Sequence, residues 1–149
     1  MKVRIRSVLR IVSLLPVAVV CLATSCIEVR GISVIPLETM TVDSALARAA
    51  ALTQRFGARH GLGPYTDPEQ ANQHYALCVA RESFFLCVKA KDGEVQFRNY
   101  QAPRFTAWGD SLHRELLDSL RSMFDSARVR PCKWHVDRSP KPSGCASIR

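Results

Sequence analysis

The stretch that most restricts the fold is residues 74 to 100, HYALCVARESFFLCVKAKDGEVQFRNY, where three short runs rich in β-branched and aromatic residues are separated by Glu82-Ser83 and Asp92-Gly93. Asp-Gly is a favoured two-residue hairpin turn because both positions tolerate positive φ. Two-residue loops at both breaks set Arg81 opposite Phe84 and Lys91 opposite Glu94, which fixes the register of a three-stranded meander. One face then carries Leu77, Val79, Phe84, Leu86, Val88, Val95 and Phe97 and is the predicted core face. The other is mostly polar and carries Cys78, Phe85, Cys87, Lys89, Gln96, Arg98 and Tyr100. The same register brings Cys78 opposite Cys87, at a non-hydrogen-bonded pair where side chains approach most closely, so a cross-strand disulfide is expected there.

Helical periodicity flanks the meander. From Thr41, residues Val42, Ala45, Leu46, Ala49, Leu52 and Phe56 fall on one stripe with Arg48 and Arg55 off it; Thr41 or Asp43 is placed to cap the start and Gly57 to end the helix. Residues 57 to 73 hold three glycines and two prolines and read as a long loop. A second helix is expected from about Thr106 to Ala127, with Leu112, Leu116, Leu117, Leu120, Met123 and Phe124 as its apolar stripe. An edge strand near Lys133 to Asp137 completes the pattern. The expected fold is α+β: a small antiparallel sheet, the three-strand meander plus that edge strand, with two helices packed on one face. Residues 41–137 form a single α-β-β-β-α domain in this reading, and 138–149 an irregular basic C-terminal segment.

The N-terminus has a different character: a basic stretch, MKVRIRSVLR, an apolar run, IVSLLPVAVVCLA, and then small residues before a cysteine. That order is the signature of an export signal. The apolar run falls short of the roughly 20 residues a transmembrane helix needs, and Pro16 interrupts it. Leu22-Ala23-Thr24-Ser25-Cys26 resembles a bacterial lipobox, which implies cleavage before Cys26, lipid on that cysteine, and residues 1–25 as a signal peptide. Ala23 with Ser25 also suits ordinary signal peptidase at the same bond, which leaves a soluble secreted chain as one alternative and an uncleaved anchor as another. Cleavage leaves Cys26, Cys78, Cys87, Cys132 and Cys145; with Cys26 acylated the other four suit two disulfides, Cys78–Cys87 and Cys132–Cys145, in an oxidising compartment. Four cysteines allow three pairings. Residues 26–40, with Gly31 and Pro36, read as a membrane tether including a short strand around Ile32 to Ile35. Ile27 is not an acidic retention signal, so resemblance to the class implies an outer-membrane lipoprotein facing the periplasm.

Charge and motifs bound the function. Four of the 21 basic residues lie in the first ten positions, and without them 17 stand against 13 acids. Residues 128 to 149 alone hold six basic side chains against one acid. Arg128, Arg130, Lys133, Arg138 and Lys141 are therefore candidate contacts for an anionic lipid or other anionic envelope partner. Nucleic acid is not an expected partner of an exported chain. Phe85 and Tyr100, on the polar sheet face, are candidates for a protein-recognition surface. Cys132 and His135 are three residues apart, a spacing open to zinc or to a nucleophile and base; His60 and His113 can be joined by Asp110 or Glu115 in an acid and base site. No GxSxG, HExxH, SxxK, CxxC or phosphate-cradling glycine loop is present. The reading is a non-catalytic envelope lipoprotein, an interaction or structural module that needs no cofactor. Its counterpart from another class is an envelope hydrolase or metal-binding protein using Cys132, His135 and His113.

Overall fold

The computed structural model describes residues 28–66, 75–102 and 105–135, and of Trp134 and His135 the backbone alone. In chain order the elements are β1 (Glu28–Val34), α1 (Val42–His60), β2 (Gly63–Pro64), β3 (Leu77–Arg81), β4 (Phe84–Lys91), β5 (Glu94–Gln101), α2 (Ala107–Phe124), a 3-10 turn (Ser126–Arg128) and β6 (Val129–His135). They build an α+β fold with one open six-stranded antiparallel sheet, in the order β2-β3-β4-β5-β1-β6, and two helices on one face.

The meander has the register that its turns dictate: Arg81 pairs with Phe84, Lys91 with Glu94, and Cys78 with Cys87. Glu82, Asp92 and Gly93 take positive φ, the conformation that a tight hairpin matching strand twist demands. Cys78 and Cys87 are joined in a disulfide across a Cα–Cα distance of 4.1 Å, close to the spacing of a non-hydrogen-bonded pair. The predicted core face lies under the helices, where Phe84, Leu86, Val88, Val95 and Phe97 are buried with Ala45, Ala49, Phe56, Leu112, Leu116, Leu120 and Phe124.

Residues 28 to 34 depart from the expected tether. They form β1, held between β5 and β6 and antiparallel to both, so the folded body includes residues 28–34 and does not start at residue 41. The physical reason is burial on both faces. Ile32 and Val34 enter the core under the helices, while Val29 and Ser33 are buried on the opposite side, and a strand covered on both sides loses the alternation that identifies half-buried strands. Gly31, which resembled a loop signal, lies between Arg98 and Cys132 in the ladder.

Other boundaries moved for local reasons. α1 runs past Gly57 to His60, capped by Thr41 at one end and by Gly61 at φ 69° at the other. Gly57 serves packing instead: a Cβ there would meet the Leu62 carbonyl oxygen at 3.2 Å and Val79 at 3.3 Å. α2 stops at Phe124 because Asp125 adopts φ 73° and turns the chain into the 3-10 segment. The edge strand spans Val129–His135, earlier than the predicted Lys133 to Asp137, and Pro131 is tolerated because β6 ends the sheet. The loop after α1 adds a two-residue strand, Gly63 pairing with Ala80 and Pro64 with Val79.

Candidate functional site

Beneath α2, the helix-side face of β1 changes from apolar to ionic. Ile32 and Val34 are followed, toward the N-terminus, by Arg30 and Glu28, because alternate residues of a strand share a face. Arg30 is pinned from three sides: Nε donates to Glu28 Oε1 at 2.7 Å, Nη2 lies 2.5 Å from Asp110 Oδ1, and the guanidinium sits 4.0 Å above the Phe105 ring. Lys133 Nζ approaches Glu28 Oε2 at 3.0 Å from β6. Asn99 Nδ2 donates to His113 Nδ1 at 3.0 Å, which leaves the proton of the neutral ring on Nε2. An open groove of about 280 Å³ adjoins the cluster, lined by Arg30, His113, Pro131, Cys132 and Lys133.

His113 is only 8% exposed, and its pKa falls from the ordinary 6.5 to about 4. Burial is the main cause and the Arg30 charge adds to it, outweighing the attraction of Asp110 and Glu28. Glu28 is pulled in both directions: burial raises its pKa, but the hydrogen bonds and charges of Arg30 and Lys133 leave it below the usual carboxylate value. Each cation here faces a carboxylate. The cluster ties β1 to α2 and β6, and an imidazole this hard to protonate is a weak base for chemistry near neutrality.

The two histidines proposed as one acid and base site belong to different places. His60 Nε2 meets Glu115 Oε1 at 3.0 Å, and Arg59 Nη1 reaches the same oxygen at 3.0 Å, linking α1 to α2. The hydrogen bond from His60, followed by its charge and the Arg59 contact, holds the Glu115 carboxyl below its ordinary value despite some burial. His113 lies on the sheet side of α2 with Asn99, and Asp110 turns to Arg30.

Cys132 is disulfide-bonded, to a cysteine outside the described residues. That bond removes its thiolate from the zinc and nucleophile arrangements considered with His135 and His113. Among the described residues no group of three or more His, Cys, Asp or Glu is placed to hold a metal ion. His135 lies opposite Glu28 in the ladder. Cys26, Cys145, Arg138 and Lys141 lie outside the described residues.

Of the remaining basic candidates, Arg128 donates from Nη1 to the Pro36 carbonyl at 2.9 Å, Lys133 is engaged with Glu28, and Arg130 is exposed. On the far face of the sheet, Phe85 and Tyr100 stack at 4.6 Å, with Tyr65 edge-on to Phe85 at 5.0 Å. Both are half-buried, and their neighbours Val29, Ser33, Cys87 and Gln96 are buried, so this face is less open than its polar composition implied. Lys89, also buried here, lies 4.9 Å over the Tyr75 ring; desolvation and the nearby Lys91 and Arg98 charges lower its pKa, against a smaller opposing effect of Asp92.

Sequence reasoning missed Glu28, Arg30 and Asn99 as partners of His113. The available signal was the spacing of Glu28 and Arg30, which puts them on one face of any strand. A second groove, about 340 Å³, opens where the β3–β4 hairpin meets the start of α2 and is lined by Arg81, Glu82, Ser83, Gln101, Thr106 and Trp108. Among the described residues no helix is long and apolar enough to cross a membrane. Compared with protein-family models, curated proteins and solved structures, the chain matches none.

Proposed function

We propose that the protein is a non-catalytic lipoprotein of the bacterial envelope, lipidated on Cys26 and working as an interaction module at a membrane. What supports this reading is the order of the first 25 residues, basic, then apolar, then small, ending at the lipobox-like Leu22-Ala23-Thr24-Ser25-Cys26, with Glu28 of β1 only two residues further along the chain. The Cys78–Cys87 disulfide and the bonded state of Cys132 fit an oxidising compartment. The fully partnered ionic cluster, with its weakly basic His113, favours a structural role over acid and base catalysis. The stacked Phe85 and Tyr100 remain the candidate contact for an envelope protein, and Arg130 with the C-terminal basic residues the candidate contact for anionic lipid.

The test is the intact mass of the protein purified from membranes, measured without and with reduction. The expected species begins at Cys26, carries acyl groups and gains four hydrogens on reduction of two disulfides. An unlipidated chain, whether it begins at Cys26 or elsewhere, overturns the lipoprotein reading.

A further inference from the structure

We infer that the sheet end carrying Glu28 rests on the bilayer surface, with Trp108 and the β3–β4 hairpin at the level of the lipid headgroups. This orientation depends on the lipidation of Cys26 proposed above, and it follows from how little chain separates that residue from the sheet. Two residues span at most about 7 Å. An acylated Cys26 therefore holds the Glu28 end of β1 within that distance of the lipid.

The ladder defines what comes down with it. Glu28 pairs with Gln101 and His135, Gln101 with Phe84, and Phe84 with Arg81, so one end of the sheet gathers the Glu82-Ser83 turn and the ends of β5 and β6. Both helices reach the same end. Gln101 Oε1 accepts from the Thr106 backbone N–H at 2.8 Å, which sets the start of α2 there, and Arg81 Nη1 donates to the His60 carbonyl at 3.4 Å, which sets the end of α1.

This end presents the side chains of a membrane interface. Trp108 is half-buried, packs edge-on against Phe84 at 5.6 Å, and has the Arg81 guanidinium 5.5 Å above its ring. Tryptophan settles at the headgroup layer because its ring is large and apolar yet carries a polar N–H, and arginine reaches phosphates beside it. Charges among the described residues here are matched, Arg59 by Glu115, Arg81 by Glu82 and Lys133 by Glu28. The sequence that follows His135 adds three cations, Arg138, Lys141 and Arg149, against one acid, Asp137.

The experiment uses the chain from residue 26 onward, with two palmitoyl chains coupled to its N-terminal amine, on phosphatidylethanolamine and phosphatidylglycerol vesicles brominated near the headgroup. Trp134→Phe leaves Trp108 as the reporter. A control carrying Trp108→Phe, Trp134→Phe and Lys91→Trp moves the reporter to the far end of β4, about 23 Å away along the strand. Quenching of Trp108 at least twofold stronger than that of the far-end reporter is expected; equal quenching, or none at Trp108 while the chain floats with the vesicles, overturns the orientation. Amide exchange gives a readout that needs no substitution: slowing at Glu82-Ser83 and not at Asp92-Gly93 supports it, and the reverse overturns it. Because the acyl chains are attached chemically, these results stand apart from the mass measurement, whose failure would refute native lipidation alone.

Discussion

Lowering the pH from 7.5 to 5 is expected to weaken the fold by about 2 kcal/mol through His113 alone. Its pKa is about 4 in the folded chain, against the ordinary 6.5 that it regains on unfolding. The unfolded state therefore binds more protons between these values, so the contribution is complete above about pH 6.5 and is lost as pH falls toward 4. Two and a half pH units correspond to about 3 kcal/mol in all, of which about 2 has gone by pH 5. The cost has a physical source, since a protonated ring would sit buried near Arg30 and give up the hydrogen bond it accepts from Asn99. Urea unfolding at pH 7.5, 6 and 5 measures it, with His113→Gln as reference so that the other histidines cancel. The difference between the two proteins should change by about 2 kcal/mol across the range. Parallel stability curves would refute the assignment.

Three further outcomes are expected. Replacing both Cys78 and Cys87 by Ala should cost about 3 kcal/mol, the chain-entropy value for a loop of this size, read as a lower urea midpoint than that of the oxidised protein; an unchanged midpoint would deny the bond a stabilising role. Gly109→Ala should cost about 1 to 3 kcal/mol, because its Cβ would collide with Gln101 Oε1, the acceptor of the Thr106 N–H, and a thermal melt unchanged within a degree would contradict that packing. Glu28, whose pKa is depressed, stabilises the fold above the ordinary carboxylate range and ceases to do so as pH falls through its folded value, so Glu28→Gln should remove part of the stability loss below about pH 4.5 without changing the window above it, as shown by acid titrations of both proteins.

What the sequence disclosed and what it hid follow from how locally each feature is determined. The meander and its disulfide were legible because two-residue turns at 82–83 and 92–93 fix pairing without reference to the rest of the chain. β1 was hidden because its partners are β5 and β6, far along the chain, and its double burial erased the alternation on which strand reading depends. The end of α1 shows the same limit: the sequence reading stops the helix at Gly57, whereas the close approach of Leu62 and Val79 assigns that glycine to packing and Gly61 forms the cap. The i,i+3 pairing of Asp110 with His113 was visible, but its meaning was not. Arg30 from β1 and Asn99 from β5 capture one residue each, and a two-residue pattern on a helix cannot announce partners on two strands.

The placement of β1 also constrains how the chain reaches its folded state. β1 is made first, yet Glu28 pairs with Gln101 and His135, so its ladders close only after nearly all described strands exist. The β3–β4–β5 meander needs only neighbours and can form early, as local contacts carry the smaller loop-closure cost. For a chain exported as proposed, that order keeps the sheet incomplete until translocation has delivered its last strand. The kinetic consequence is specific. Ile32→Val, in β1, should cost about 1 kcal/mol and appear as roughly fivefold faster unfolding with little change in refolding, whereas Val88→Ala, in β4, should slow refolding. Stopped-flow chevrons of the disulfide-intact protein separate the two limbs. Slower refolding of Ile32→Val, with Val88→Ala acting on unfolding alone, would mean that the nucleus contains β1 and that this strand joins the sheet before the meander is complete.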